Sequence, residues 1–180
     1  GMFSAIASIL MLFEIPLPFA PFFYKLDFSN LPVLLGAFAM GPGPATLILL
    51  IKSLLGLLHT SSQGVGELAD FLMGFAMILP AGLIYQRHKT RKGALIGLVV
   101  GTVAATIAGV LSNLWLMIPF YGAVYGMPVE QIVSMGQALI PAIQDEWGFV
   151  LLITGPFNLV KWILISVVTL LVYKPLSPLL

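Results

Sequence analysis

The sequence predicts an all-α integral membrane protein, a single compact bundle of six transmembrane helices, and three observations carry that prediction. Hydrophobic residues make up 59% of the 180 and charged residues only 8%, where a soluble domain carries roughly 25% charge. Mean hydropathy is +1.07. Apolar runs recur at helical length with Gly and Pro scattered among them, whereas a membrane barrel repeats alternating segments of roughly ten residues. Helices follow because each one satisfies its own backbone hydrogen bonds where no water is available. The whole chain, 1–180, reads as one domain with no separate soluble part.

The first run, 1 to 14, is short for a span that wants about twenty residues, so this helix is expected to extend upstream of Gly1. Ile15 to Asn30 is apolar yet too rich in proline for a helix, and is expected to fold over the bundle as a loop. Runs 30 to 41 and 44 to 59 meet at Gly41-Pro42-Gly43-Pro44, a double breaker that makes them a tight helical hairpin. Helices over 66 to 87 and 93 to 121 flank Arg87-His-Lys-Thr-Arg-Lys92. Gly122 to Trp147 reads as a loop, and 148 to 173 as the sixth helix, with Gly155-Pro156 raising the prospect of a break near its start.

The basic loop at 87–92 sets orientation, since the positive-inside rule puts it in the cytoplasm. Counting outward from it places both termini inside. The segments 15 to 30, 59 to 65 and 122 to 147 then lie outside, where three loops can jointly cover one ligand pocket.

Within the sixth run, Lys161 lies about 18 Å from either end at roughly 1.5 Å per residue, beyond the reach of a snorkelling side chain. An ionisable group at that depth is a functional-site hypothesis by default. Asn158 shares its helix face three residues earlier, and Trp162 adjoins it. Asn113 in the fifth run reaches a similar depth, about 12 Å below the outer end against about 15 Å for Asn158. An amide donates and accepts while an ammonium only donates, so two Asn and one Lys suit the polar edge of a heterocycle. The competing reading is that each amide glues helices together, at about 0.6 kcal/mol.

Lys52, Glu67 and Asp70 form a second intramembrane group. An internal pair of Lys52 with Asp70 or Glu67 would neutralise both partners, and Glu67, just after Gly64-Val-Gly66, is a candidate for the pocket rim. Lys25 and Asp27 in the first loop are read as fixing that loop. Gly93, Gly97, Gly101, Ala105 and Gly109 recur at intervals of four along the fifth run, a ridge whose expected use is close internal packing. Gly1 and Ala5 form a shorter version and a candidate partner surface.

Catalytic signatures are absent from the sequence. His59 and His88 are too far apart to pair on a metal, and no H-E-x-x-H, G-x-S-x-G or phosphate-loop motif occurs. With no cysteine there is no disulfide framework, thiol nucleophile or iron–sulfur ligation. No metal or cofactor is expected, and no nucleic acid among the partners. What remains is a binding subunit or a passive element, with a stand-alone channel or facilitator as the alternative from another class.

Pro16-Leu-Pro-Phe-Ala-Pro21, Lys25-Leu-Asp-Phe-Ser-Asn-Leu-Pro32, Leu35-Gly-Ala-Phe-Ala-Met-Gly-Pro42, Ile51-Lys-Ser-Leu-Leu55, Gly64-Val-Gly-Glu67 and Asn158-Leu-Val-Lys161, in this order, resemble the riboflavin-specific S component of bacterial energy-coupling factor (ECF) vitamin transporters. The resemblance runs over nearly the whole chain and implies a six-helix fold with both termini inside. It departs at Ser53 and Asp70, where asparagine is expected, and both positions are read as peripheral to the pocket. It further implies a subunit of the bacterial cell membrane that captures riboflavin from outside and joins a transmembrane T component and two ATPase subunits, which hydrolyse the ATP. Asn113, Asn158 and Lys161 are implied to hydrogen-bond the vitamin. Tyr24, Lys25, Leu26 and Asp27 in the first loop, with Gly66 and Glu67 in the 64–67 turn, are implied to close the site, and Gly1-x-x-x-Ala5 to dock the T component. An uncharged flat ring with one N–H between two carbonyls fits such a pocket, and a single Lys without Arg is a poor phosphate clamp. FMN and other vitamins such as thiamine, biotin or folate remain as alternative cargoes.

Overall fold

The computed structural model describes residues 1–16, 18, 24–60 and 62–176, apart from the side chains of 174 and 176. Its elements, in chain order, are α1 (Met2–Leu10), β1 (Ile15–Pro16), β2 (Lys25–Leu26), α2 (Asn30–Met40), α3 (Pro42–Gly56), α4 (Val65–Arg87), α5 (Arg91–Ser112), α6 (Ile118–Tyr125), α7 (Val129–Leu139), α8 (Glu146–Phe149) and α9 (Gly155–Leu176). A 3₁₀ turn, Leu57–His59, follows α3, and π-helical segments at Asn113–Met117 and Val150–Thr154 join α5 to α6 and α8 to α9. Among the described residues four continuous helical stretches are long and apolar enough to cross a bilayer: Pro42–His59, Val65–Arg87, Arg91–Tyr125 and Glu146–Tyr173.

α2 is too short to span but is buried on nearly every side, from Asn30 through Phe38 except Leu31. A helix apolar all round belongs in a protein interior, and α2 packs there against α1, α3, α4 and α9. The hairpin to α3 turns on one residue. Gly41 adopts φ 94°, a left-handed conformation that disfavours any side chain, and Pro42 opens the next helix. α3 therefore begins two residues before the expected 44, because the first helical position has no need of the missing N–H.

The glycine ridge of α5 is packed inside the bundle. A Cβ on Gly97 would sit 2.9 Å from the Ala81 carbonyl oxygen, and one on Gly101 would sit 2.7 Å from that of Met77. α5 and α4 thus meet almost backbone to backbone. Farther along, Gly109 lets the Asn158 amide of α9 approach, a Cβ there being 2.8 Å from it. A buried hydroxyl pair, Thr102 with Ser166 at 3.1 Å, ties α5 to α9 in mid-helix.

Gly155-Pro156 does not break the last helix. The backbone widens into a π turn just before it, the Gly155 N–H reaching back five residues to the Val150 carbonyl. The same arrangement precedes Pro119, with the Ile118 N–H bonded to the Asn113 carbonyl. Proline removes an N–H and crowds the carbonyl four residues back, and a π turn makes room while keeping the helix continuous.

Other boundaries also differ from the sequence reading. The first helix stops at Leu10, and Glu14 beyond it is ion-paired to Lys25. The fifth run reaches Tyr125, giving with α5 a rod of 35 residues, about 52 Å long at 1.5 Å per residue. The segment 122–147 is no simple loop, since it contains α7, whose Ile132, Val133 and Gly136 are buried. Ile132 and Val133 pack with Ile143 and Phe149 in a second apolar core. The first loop is closed by the antiparallel pair Ile15 with Leu26 and Pro16 with Lys25. Most of the proline motif within it, at 17 and 19–21, lies outside the described residues.

Gly97→Leu should lower the thermal unfolding temperature of the detergent-purified protein by overpacking the α4–α5 contact, a change of about 1–3 kcal/mol. Gly43→Ala, at an exposed helical position with open space around its Cβ, should leave it unchanged or slightly raised.

Candidate functional site

The first π segment, through Asn113 and Met117, and α9, just beyond the second, face one cavity of about 450 Å³, within the usual range for a small-molecule site. It brings together Asn113, Asn158, Lys161, Glu67, Gly66, Tyr24, Lys25 and Asp27 from distant parts of the chain. Leu26, grouped with them in the sequence reading, is not on its wall; it is buried in β2 with alternating orientation. Gly1 and Ala5 are exposed on α1, away from the cavity.

Asn113 and Asn158 are oriented the same way. Each amide donates to the carbonyl one turn back on its own helix, Asn113 to Gly109 at 3.0 Å and Asn158 to Thr154 at 2.9 Å. Their carbonyl oxygens are thereby left for other partners. That of Asn113 accepts the Tyr24 hydroxyl at 2.7 Å, and the same hydroxyl lies 2.5 Å from Thr154 Oγ1. The Asn158 oxygen is buried with no hydrogen-bond partner among the described residues, an arrangement that costs about 1–3 kcal/mol unless something binds there.

Tyr24 reaches in from the first loop, with its ring 4.8 Å from that of Phe157. Burial pushes its phenol well above the ordinary range, more than the Thr154 hydrogen bond lowers it, so it is a protonated donor. Asp27, three residues on, points to Lys161 of α9 at 3.3 Å. Burial alone would raise its carboxyl, but the Lys161 and Lys52 ammonium groups outweigh that and hold it below the usual range. Its contribution to the fold is present above the ordinary carboxylate pKa and is lost only as pH falls through the depressed value.

The sequence reading treats Lys52 with Asp70 as a group separate from Lys161, and Asp70 as peripheral. The structure corrects both points. Asp70 Oδ2 accepts from Lys52 at 2.6 Å, while its Oδ1 accepts from the Asn30 amide at 3.1 Å and lies 3.4 Å from Lys161 Nζ. Lys52 also donates to Asn30 Oδ1 at 3.2 Å. Two ammonium groups and two carboxylates therefore form one network, and Lys52 and Asp70 both line the cavity. Asp27 likewise belongs to this network rather than only to its loop, whereas Lys25 pairs with Glu14 at the surface.

The rim is an ordered turn. Thr60 Oγ1 accepts the N–H groups of Ser62 and Gly64 and donates to Glu67 at 2.8 Å, and Ser62 Oγ accepts the Gly66 N–H at 2.9 Å. Gly64 takes φ 92° at the start of α4, and a Cβ on Gly66 would strike Ser62 Oγ at 2.6 Å. Apolar wall comes from Met11, Met73, Met117, Met127 and Phe157. Sequence reasoning passed over Asn30, which bonds Lys52 and Asp70, and Thr154, which bonds Tyr24 and Asn158, as residues that hold the site's side chains. A signal for Thr154 existed, since it lies one helical turn before Asn158 on the same face. Among the described residues no group of three His, Asp or Glu side chains is arranged to hold a metal ion.

Over residues 1–173 the chain matches the family described as ECF transporter, substrate-specific component. It is 33% identical to the riboflavin transporter RibU of Staphylococcus aureus, covering 98% of this chain and 87% of that one. It is 31% identical to the riboflavin transporter FmnP of Bacillus subtilis, covering 99% and 90%. A solved structure described as that of the S component of a bacterial ECF transporter superposes with a TM-score of 0.77 at 33% identity, covering 99% of this chain and 92% of that one.

Asp70→Ala should strongly destabilise the purified protein, because it strands Lys52, 1% exposed, without its countercharge; breaking such a buried pair costs about 3–5 kcal/mol. Lys25→Ala, which removes only the surface pair, should shift the unfolding temperature little. Comparable losses in the two variants would contradict the hub role given to Asp70.

Proposed function

The chain belongs to the substrate-specific components of ECF transporters, and on that premise we propose that it captures riboflavin at the outer face of a bacterial plasma membrane for uptake driven by partner subunits. It is a transport subunit and not an enzyme, with ATP hydrolysis residing on the partners. In the bilayer we take six helices with both termini and the 87–92 loop on the cytoplasmic side, forming one membrane domain over 1–180. The T component would dock on the face of α1 that carries Gly1 and Ala5.

The observation that carries the ligand reading is the buried Asn158 carbonyl oxygen, unpartnered among the described residues, on a residue that lines the cavity together with Lys161. Riboflavin's ring edge presents one N–H between two carbonyl oxygens. Asn158 Oδ1 supplies the acceptor that the N–H needs, and the Lys161 ammonium supplies a donor for a carbonyl. The methionines and Phe157 give the dimethylbenzene end an apolar surface, and Tyr24 and Asn113 close the wall between the first loop and α5. Gly66 and Glu67, with Lys25 and Asp27, frame the outer rim. Leu26 acts from behind, holding β2 in the core so that its neighbours reach the cavity.

Charge favours riboflavin over FMN. The lining carries four carboxylates, Glu14, Asp27, Glu67 and Asp70, against three lysines, and no arginine. A phosphate dianion would meet a wall already negative on balance.

Riboflavin added to the detergent-purified chain should lose its fluorescence on binding and raise the unfolding temperature through linkage. No quenching and no thermal shift at excess ligand would refute the reading. Asn158→Ala and Lys161→Ala should each weaken binding at least about fivefold, the equivalent of 1 kcal/mol. Unchanged affinity in both would return these residues to a packing role.

A further inference from the structure

We propose that Asp70 is a specificity-determining residue: it completes a neutral four-charge cluster, so that the site receives the ligand's ring edge as an uncharged hydrogen-bonding partner and holds anionic forms of the ring less tightly. The inference rests on the reading above, that the riboflavin ring edge meets Asn158 and Lys161.

Lys161 follows Asn158 by three residues on α9 and lines the same cavity, and its ammonium is compensated by Asp27 at 3.3 Å and Asp70 at 3.4 Å. Both distances exceed an ordinary charge-assisted hydrogen bond of about 2.7–2.9 Å. Lys161 is therefore neutralised while its N–H bonds remain only weakly engaged, which suits a donor to a neutral carbonyl. Asp70 is shared, because its other oxygen holds Lys52 at 2.6 Å. Lys52 is buried against Asn30 and Asp70, with no further carboxylate bonded to it among the described residues. Two positive and two negative charges cancel, and losing the Asp70 charge leaves the cluster at plus one. A single uncompensated charge within about 10 Å of the ring, at an effective dielectric of about 20, changes the hold on an anion roughly tenfold or more.

Reduction of the bound ligand reads this charge directly. Riboflavin that takes up two electrons and one proton, the proton going to N5, becomes at mildly alkaline pH an anion with N1 deprotonated. The cluster, neutral in itself, should disfavour that anion relative to one left with a net positive charge. The experiment is an anaerobic reductive titration, against a reference dye, of riboflavin-loaded protein in detergent. Asp70→Asn, which keeps the side chain's shape, should raise the midpoint potential of bound riboflavin by about 30 mV or more, the two-electron equivalent of a tenfold tighter hold on the reduced ring. The double variant Lys52→Met with Asp70→Asn restores charge balance and should return the potential to the wild-type value.

A wild-type potential in Asp70→Asn with riboflavin bound overturns the proposal, and so does a shift that persists in the double variant, which would mark geometry rather than charge as the cause. If Asp70→Asn retains no riboflavin, Asp27→Asn makes the same change of charge from the loop and must give the same upward shift; without it the proposal falls. Wild-type protein that binds no riboflavin would instead bring down the functional reading, and this inference with it.

Discussion

Charge neutrality inside a membrane bundle is the constraint on which the rest of this structure depends. Lys52 and Lys161 are nearly inaccessible, on α3 and α9 respectively. Neither can remain ionised at that depth without a carboxylate in reach. Asp70 on α4 serves both, and Asp27 from the first loop completes the balance. Three helices and a loop are thereby fixed against one another by four side chains, and Asn30 of α2 adds a fourth helix through its amide. The short, wholly buried α2 fits this role, since it carries Asn30 at its first residue into the centre of the cluster.

The second device is the pairing of a π turn with a proline on each of two helices. The two segments, 113–117 and 150–154, begin or end on residues that meet at the Tyr24 hydroxyl, Asn113 and Thr154. A regular α-helix directs its polar side chains at fixed intervals and offers no spare room. Adding one residue to a turn re-aims those that follow and widens the wall locally. Pro119 and Pro156, which would otherwise clash with the preceding turn, make the widened form the favourable one. Close approach at Gly109 then brings Asn158 alongside α5.

Most of the helices were legible in the sequence because lipid imposes a strong pattern: long apolar runs, sharp Gly-Pro junctions and one dense basic loop. The amphipathic α7 was not. Its apolar residues are too few to resemble a span, and it is helical because Ile132, Val133 and Gly136 pack on Ile143 and Phe149, contacts that only the fold creates. At the site, Asn113, Asn158 and Lys161 stood out because polar groups are expensive in hydrocarbon, and depth counting put the two asparagines at similar depth. The union of the Lys52–Asp70 pair with Lys161 could not be read in that way. Depth along a helix says nothing about azimuth, and it was azimuth that turned Asp70 toward both lysines.

The first loop contributes more than cover. Tyr24 bonds to the π segments of both long helices, and Asp27 supplies one of the two carboxylates that balance the lysines. Withdrawing this loop would remove the hydroxyl that donates to Asn113 and accepts from Thr154, and leave the buried cluster with one positive charge too many. Its closed position is thus held by electrostatics as well as by the contact of Tyr24 with Phe157. A neutral ligand beneath it fits that arrangement, because it can satisfy the Asn158 oxygen without drawing Lys161 away from Asp27. An anionic ligand would compete with Asp27 for the same ammonium and loosen the loop that should retain it. Neutrality of the cluster and retention of the cargo are, on this argument, consequences of the same four side chains.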